Sequence, residues 1–179
     1  YKTNTINRRI ERRMAVHQLK SKKEYFSLLQ HSSIEIGRLF KDLLIGVTRF
    51  FRNPHVFEVF EEKYLPQLVE GKQPESFLRI WVPACSTGEE AYTIAILFQE
   101  YLEKEKLKLK VQIFATDIDS KAVAAARAGI YPSSIATDIS PERLERFFSY
   151  DTSASSFRIK KHIRDMLIFS EQDVIQDPC

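Results

Sequence analysis

The fold is decided by residues 81–92, which read Trp81-Val82-Pro83-Ala84-Cys85-Ser86-Thr87-Gly88-Glu89-Glu90-Ala91-Tyr92. The stretch begins as an apolar strand, passes through a tight turn of small residues and opens into a helix. Small residues let the backbone approach a ligand closely, and the start of a helix offers unpaired N–H groups. This order predicts the first strand, turn and helix of a nucleotide-binding unit, although simple capping of the helix would leave the same pattern.

The charge of the turn separates two classes of cofactor. Gly88 is the one glycine that remains of the dinucleotide fingerprint, and Glu89 and Glu90 would repel a pyrophosphate at the helix start. The same two acids suit a cationic ligand. S-adenosylmethionine carries an ammonium and a sulfonium group, so it fits better than a dinucleotide. We expect this cofactor, or its product S-adenosylhomocysteine, to lie against the turn from Ala84 onward.

Acidic residues also follow two later strands. The strand 111–116 runs into Asp117 and Asp119, at the point where this architecture binds the two hydroxyls of a ribose. One of the pair could instead cap the next helix, and we assign Asp117 to the ribose and Asp119 to the cap. The strand 166–169 is followed by Asp173, which could meet the adenine amino group, and by Val174, which would pack on the ring.

The first 70 residues differ in pattern from the rest. Capping boxes at 21–24 and 32–35, and an Asn-Pro pair at 53–54, predict successive helices. A turn-rich segment follows at 70–74, and beyond it strands alternate with helices, as in a parallel sheet. We therefore predict an α/β protein with a small all-helical domain at 1–70 and a Rossmann-like domain at 75–179.

Composition argues against several classes of protein. The chain of 179 residues is 44% hydrophobic and 28% charged, and no apolar run approaches the roughly 20 residues that cross a bilayer. Two distant cysteines, Cys85 and Cys179, suit a reducing cytoplasm rather than a disulfide framework. The four histidines lack metal-ligand spacing, so we expect no metal site. We interpret Cys85 as a small turn residue because no base is placed to activate it.

The N-terminal segment is strongly basic. Residues 1–23 carry eight Lys or Arg and one acid, whereas the remaining residues carry 19 bases and 23 acids. Helical spacing places Arg8 four residues before Arg12, and Arg9 four residues before Arg13, so the arginines form a positive stripe. The stripe is either a solvated helix face or a docking surface for an anionic partner.

Four stretches carry a resemblance to a known family. They are LIGVTRFFRN at 44–53, STGEEAY at 86–92, ATDID at 115–119 and AGIY at 128–131. In this order, and over essentially the whole chain, they resemble the bacterial chemotaxis receptor methyltransferases, the CheR family. The stretches 10–14 and 43–48 most resemble the branch of that family that is fused to a methylesterase.

The resemblance implies methyl transfer from S-adenosylmethionine to glutamate side chains on receptor helices. It assigns six residues to the cofactor: Thr48 and Arg52 at the methionine end, Glu90 at the helix start, Asp117 at the ribose, and Asp173 with Val174 at the adenine. Arg52 would also orient the incoming carboxylate and is our candidate catalytic residue. Gly46 stands where some members carry an asparagine that contacts the cofactor.

The resemblance also bears on partners. Receptor methylation helices are rich in glutamate, so Arg9, Arg12 and Arg13 would dock them. The family continues with a further strand and a Cys-Arg-Asn segment after the position of residue 179, so we expect the chain as given to bind cofactor weakly. The alternative is a cofactor-binding module without activity in a larger signalling protein. We expect no nucleic-acid partner, because no base-flipping motif is visible, and no insertion into a membrane.

Overall fold

Residues 3–43 and 46–177 are described by a computed structural model. The α/β class predicted from the sequence is confirmed, because helices come first and strands alternating with helices follow. The chain divides into two compact units, Tyr1–Ile45 and Gly46–Cys179. Lys2, Leu44, Ile45 and Cys179, which the sequence analysis uses, lie outside the described residues.

The first unit is helical. Its helices are α1 Thr3–Val16, α2 Lys22–His31 and α3 Ser33–Leu43. The Ser21 hydroxyl caps α2 by accepting a hydrogen bond from the Glu24 N–H at 3.3 Å, and the Ser32 hydroxyl accepts one from the Glu35 N–H at 3.2 Å. Both caps lie in the boxes that the sequence predicts.

The three helices meet at one buried carboxylate. Glu35 is 2% exposed, and Arg13 donates to it through Nε at 2.8 Å and through Nη2 at 2.6 Å. Tyr25 donates its hydroxyl to the same carboxylate at 2.8 Å, and His17 Nε2 lies 2.8 Å from it. We call these four residues the Glu35 cluster. Because a buried charge is tolerated only when it is paired and hydrogen-bonded, the cluster fixes how the helices pack.

The second unit begins with short helical segments and continues as strands and helices. The helical start comprises α4 Pro54–Val59, a π-helical turn Phe60–Tyr64 and α5 Leu65–Val69. The rest comprises β1 Phe77–Pro83, α6 Glu89–Lys104, β2 Lys110–Asp117, α7 Ser120–Ala128, β3 Ile130–Pro132, a 3-10 turn Ser133–Thr137, α8 Pro141–Phe147, β4 Phe148–Asp151, β5 Ser156–Ile159, α9 Lys161–Arg164 and β6 Leu167–Glu171. Within the described residues, no helix is long and apolar enough to span a membrane.

A parallel sheet positions the site. Its strand order is β1-β2-β6, with Trp81 paired to Phe114 and Phe114 paired to Ile168. Helices α6 and α7 pack against the face that buries Ile113 and Ala115. Parallel strands joined by crossover helices end at the same edge of the sheet. The turn after β1 therefore lies beside the carboxyl end of β2.

The sequence did not predict a second sheet. β3, β5 and β4 pair in that order, and both pairs are antiparallel. β3 has three residues, and β4 and β5 have four each. These strands are too short for an alternation of apolar and polar residues to be recognised in the sequence. This sheet carries Tyr131, whose side chain reaches the turn after β1.

The compact units do not follow the predicted boundary at 70–75. Leu65 and Val69 of α5 pack against Leu78 of β1 and Phe98 of α6. The helical segments between 54 and 69 therefore belong to the second unit, and the predicted domains 1–70 and 75–179 differ from the compact units. The turn-rich segment reverses the chain within a unit and does not link two units.

Two adjacent phenylalanines pack the segment 46–53 against the rest of the second unit. Phe50 is 1% exposed and packs edge-on against Tyr131 and Phe148, with ring centroids 4.9 and 5.5 Å apart. Phe51 is half-buried, and the Arg143 guanidinium lies 4.5 Å from its ring centroid. Edge-to-face pairs and cations over aromatic rings stabilise such contacts beyond the area they bury.

Glu35→Gln should destabilise the helical unit by about 3 kcal/mol, because the substitution removes the carboxylate that Arg13 binds through two nitrogens and leaves Asp42 Oδ2, 4.0 Å away, as its described carboxylate partner. Native-state hydrogen exchange of the α1 and α3 amides would measure the loss. Glu11→Gln removes an exposed acid from α1 and is the matched control, for which we expect unchanged exchange. Equal exchange rates in the two variants would contradict a stabilising role of the cluster.

The same cluster makes stability depend on pH. The hydrogen bonds from Arg13, aided by His17 and Tyr25, lower the pKa of Glu35 from 4.5 to about 2 against the opposing effect of burial. A carboxyl group whose pKa is lower in the folded state stabilises that state above its unfolded pKa. The helical unit should therefore lose stability as the pH falls from 4.5 towards 2, and Glu35→Gln should remove that part of the dependence.

Candidate cofactor site

The turn between β1 and α6 has an unusual backbone. Ala84, Ser86 and Gly88 have φ angles of 55°, 50° and 93°, in the left-handed region. For a residue other than glycine, that conformation costs about 1–2 kcal/mol. Such residues persist where the surrounding structure holds them, and they concentrate at functional sites. We refer to residues 84–88 as the cofactor turn.

The end of β2 holds the first part of the cofactor turn. The Cys85 N–H donates to the Thr116 carbonyl at 2.9 Å, and the Ser86 N–H donates to Asp117 Oδ2 at 2.7 Å. Asp117 Oδ1 accepts from the Asp119 N–H at 2.8 Å. The Asp117 carboxylate therefore joins the cofactor turn to the turn that follows β2.

The two aspartates after β2 have separate roles in the fold. Asp119 is the N-cap of α7, and its carboxylate accepts from the Lys121 N–H at 2.9 Å, as the sequence analysis expects. Asp117 lies at the strand end, half-buried. Each carboxylate oxygen can accept more than one hydrogen bond, so Asp117 retains acceptor capacity for ribose hydroxyls. Its contact with ribose stays a prediction.

Gly88 is packed so closely that a side chain at this position would clash with its neighbours. A Cβ at this position would lie 2.9 Å from Ala126 Cβ, 3.2 Å from the Tyr131 hydroxyl oxygen and 3.3 Å from Phe169 Cε1. The Tyr131 hydroxyl itself donates to the Thr87 carbonyl at 2.7 Å. The glycine is therefore required by its backbone conformation and also by the close approach of its neighbours.

Acidic groups surround the cofactor turn. Burial raises the pKa of the Cys85 thiol to about 12, and the nearby charges of Asp117, Glu89 and Glu90 also raise it. Glu89 accepts from the Thr87 hydroxyl at 2.6 Å, whereas Glu90 is exposed on the first turn of α6. Three carboxylates thus make the site attractive to a cation. Cys85 is 2% exposed and stays protonated at neutral pH, which supports its interpretation as a packing residue.

A broad pocket opens beside the ends of the parallel strands. It measures about 630 Å³ and is lined by Trp81, Phe114, Thr116, Ser170, Glu171, Gln172 and Asp177. The Trp81 indole N–H donates to the Thr116 hydroxyl at 3.0 Å, and the Gln172 N–H donates to the Asp117 carbonyl at 3.0 Å. Trp81 and Phe114 are paired across β1 and β2, on the face of the sheet opposite the buried Ile113 and Ala115, and the sequence pattern does not distinguish them from core residues.

Asp173 and Val174 follow β6, where the sequence analysis placed them. The Asp173 carboxylate accepts from the Ile175 N–H at 2.9 Å, and Val174 is 54% exposed. Neither belongs to the described lining of the 630 Å³ pocket. Their contact with adenine remains a prediction.

The segment 46–52 approaches the cofactor turn from a distant part of the sequence. A Cβ on Gly46 would lie 3.2 Å from Ser86 Oγ, so a side chain at position 46 would face the turn. Thr48 is half-buried. Arg52 is exposed, and its guanidinium donates to the Val47 carbonyl at 2.8 Å. The structure thus gives Arg52 a partner within its own segment, and its contact with cofactor or substrate stays a prediction.

The arginines assigned to receptor docking differ from one another. Arg13 is half-buried and bonded to Glu35, so its charge stabilises the helical unit and is not presented to a partner. Arg9 donates to the Asp42 carbonyl, whereas Arg12 is exposed. A cavity of about 350 Å³ is lined by Arg8, Arg9, Arg12 and Asp42. Arg8, which was left out of the docking set, is the exposed arginine one turn before Arg12.

The fold and the cofactor turn together define a Rossmann-like domain of the S-adenosylmethionine-binding class. Comparison with protein families gives the particular family. Residues 46–179 match the model of the CheR methyltransferase SAM binding domain, and residues 1–44 match that of the CheR methyltransferase all-alpha domain. The chain therefore belongs to the CheR methyltransferase family, and its cofactor is S-adenosylmethionine.

Known proteins that resemble the chain are longer than it. An uncharacterized 104.1 kDa protein of Rhodobacter capsulatus is 39% identical over 178 residues, which cover 99% of this chain and 18% of that protein. The chemotaxis protein methyltransferase of Borreliella burgdorferi is 31% identical, over 96% of this chain and 62% of its own length. That of Salmonella typhimurium is 29% identical, over 98% of this chain and 59% of its own length. The chain thus spans about three fifths of these two methyltransferases.

Gly88→Ala should lower the free energy of unfolding by roughly 2–4 kcal/mol, because left-handed strain and overpacking add together. Gly71→Ala is the matched control, since Gly71 also has a positive φ, of 70°, but no atom lies within 4 Å of its would-be Cβ. We expect it to lose only about 1 kcal/mol, from strain alone. Urea denaturation would measure both, and equal losses would contradict the steric role of the site around Gly88.

Proposed function

We propose that the full-length protein methylates glutamate side chains of methyl-accepting chemotaxis receptors, as a protein-glutamate O-methyltransferase. The observation that carries the proposal is the negative, tightly held cofactor turn in a chain that matches both domains of the CheR methyltransferase family. The names of the Borreliella and Salmonella relatives support chemotaxis as the process. A cytoplasmic location fits this substrate class.

The residues of the site fit S-adenosylmethionine. The backbone at Ala84 and Ser86 can be approached closely because their side chains are small, whereas Gly88 is buried against Ala126, Tyr131 and Phe169. Asp117 would accept hydrogen bonds from the ribose hydroxyls, and Glu90 would attract the ammonium group. When bound, the cofactor supplies an activated methyl group on a cationic sulfur.

Four further residues would contact the two ends of the cofactor. Thr48 and Arg52 would hold the methionine end from the segment that reaches Ser86. Asp173 and Val174 would meet the adenine from the turn after β6.

The acceptor requires little chemistry from the protein. A glutamate side chain is already ionised at neutral pH, so no general base is needed to activate it. The protein would then act by alignment and by excluding water. Arg52 would orient the carboxylate through its remaining guanidinium donors, since one of them is already bonded to Val47.

The exposed arginines of α1 would dock the acidic receptor helix. Arg8 and Arg12 carry the proposal, because Arg13 is engaged by Glu35. Opposite charges raise the rate of encounter and favour acidic partners over basic ones. A place within a larger protein is supported by the Rhodobacter relative, of which the matching region is 18%. Membership of the branch fused to a methylesterase stays a prediction.

Asp117→Ala should weaken binding of S-adenosylhomocysteine to the full-length protein by about 1–3 kcal/mol, the usual contribution of a charged hydrogen bond. Isothermal titration calorimetry measures this, and methyl transfer from labelled S-adenosylmethionine to a receptor cytoplasmic domain should fall with it. Asp119→Ala is the control and should lose about 1 kcal/mol of stability as a missing cap, with affinity retained.

Two results would count against these assignments. Unchanged affinity in Asp117→Ala would remove that residue from the site. Binding of S-adenosylhomocysteine without methyl transfer to any receptor would favour the alternative of a cofactor-binding module without activity.

Replacing Arg8 and Arg12 together by Gln should raise the KM for receptor about two- to thirtyfold at low salt, since exposed ion pairs contribute roughly 0.2–1 kcal/mol each. The effect should shrink at high ionic strength, and the affinity for S-adenosylhomocysteine should not change. Replacing the exposed Lys106 and Lys108 by Gln makes the same change of net charge in the second unit and is the matched control. If both double variants have the parent's KM, the arginines form only a solvated surface.

A further inference from the structure

Tyr131 belongs to the AGIY stretch, for which the proposed function gives no role. We propose that Tyr131 is a positioning residue for the cofactor: its hydroxyl holds the rear of the cofactor turn through the Thr87 carbonyl. The proposal rests on the proposed cofactor site but concerns a side chain from outside the strand-turn-helix unit that forms it. Tyr131 lies on β3 of the antiparallel sheet.

The Tyr131 side chain is held rigidly. It is 4% exposed, and its ring packs edge-on against Phe50 and Tyr92, with centroids 4.9 and 6.2 Å apart. Burial raises the pKa of the Tyr131 hydroxyl, so the group stays protonated and able to donate at any pH at which the protein functions. Because the two ring contacts fix the orientation of the side chain, its hydroxyl is held where it donates to the Thr87 carbonyl, at 2.7 Å.

The cofactor turn needs a restraint at its rear. β2 holds the front of the turn through Cys85 and Ser86. The rear contains Thr87 and the left-handed Gly88, whose N–H donates back to the Cys85 carbonyl at 2.9 Å, within the turn itself. The Gly88 carbonyl accepts from the Tyr92 N–H at 2.9 Å where α6 begins, and the described hydrogen bond that ties Thr87 to an element other than α6 comes from Tyr131.

Gly88 and Tyr131 fit one another. A Cβ on Gly88 would lie 3.2 Å from the Tyr131 hydroxyl oxygen, so the absence of a side chain there lets the hydroxyl reach Thr87. Without the hydroxyl, Thr87 would lose this hydrogen bond, and we expect the turn to leave the conformation that a ligand needs more often. Affinity falls in proportion to the fraction of molecules in the competent conformation.

Tyr92→Phe is a closely matched control for Tyr131→Phe. Tyr92 is also buried, at 1% exposed, and its hydroxyl also donates to a backbone carbonyl, that of Ala126, at 2.9 Å. Each substitution keeps the ring and deletes one buried hydrogen bond to a carbonyl. Only the Tyr131 bond ends on the cofactor turn, so a general loss of stability would affect both variants alike.

The first measurement is made without ligand. Hydrogen exchange of the amides of Ser86 and Gly88 in the full-length protein should be faster in Tyr131→Phe than in the parent, and unchanged in Tyr92→Phe. This result does not depend on what the site binds. Exchange at these amides that is the same in both variants as in the parent would overturn the proposal.

The second measurement is the Kd of S-adenosylhomocysteine, obtained by isothermal titration calorimetry. We expect Tyr131→Phe to raise it about three- to tenfold, the range for one lost hydrogen bond, and Tyr92→Phe to leave it within twofold of the parent's. Equal weakening in both variants would overturn the positioning role. If the parent binds no S-adenosylhomocysteine, the proposed cofactor site is wrong, whereas the exchange result still decides whether Tyr131 holds the turn.

Discussion

The hydrogen bond from the Ser86 N–H to the Asp117 carboxylate is the interaction on which the rest of the site depends. It lets a residue with a side chain remain in the left-handed region, because a charged acceptor offsets a cost of about 1–2 kcal/mol. The bond requires β1 and β2 to end at the same edge, and the parallel sheet ensures this. The sheet therefore places the Asp117 carboxylate beside the N–H of a residue with a left-handed backbone.

The helical unit is organised by a different carboxylate under the same physical rule. The Glu35 carboxylate is buried and therefore needs hydrogen-bonding partners. Arg13 and Tyr25 donate hydrogen bonds to it, and the His17 ring lies beside it. The cofactor turn, by contrast, lies among the carboxylates of Asp117, Glu89 and Glu90, and the described donors to Asp117 are the N–H groups of Ser86 and Asp119. Paired charges stabilise the helical unit, whereas we propose that the carboxylates around the cofactor turn favour a cationic ligand.

Several features could be predicted because they depend on neighbours in the sequence. Asp119 caps α7 through the Lys121 N–H two residues away, and the Ser21 and Ser32 caps act over three residues. The small residues of the cofactor turn are visible in the same way. Features that depend on distant partners were not predicted: the antiparallel sheet, the aromatic lining of Trp81 and Phe114, and the Tyr131 contact with Thr87.

The α/β class, the capped helices and the turn of small residues with acids at the helix start could all be predicted from the sequence. These follow from periodicity and from hydrogen bonds between residues a few positions apart, which any compact fold of the chain would keep. Which charged side chains are exposed to a partner and which are paired inside the protein depends on the tertiary structure. Arg12 and Arg13 are adjacent in sequence and equal in charge, yet one is exposed and the other is bonded to Glu35, 22 residues away. The burial and pairing of a charged side chain depend on where the helices meet, and the sequence of one helix does not show which residue of another helix will contact it.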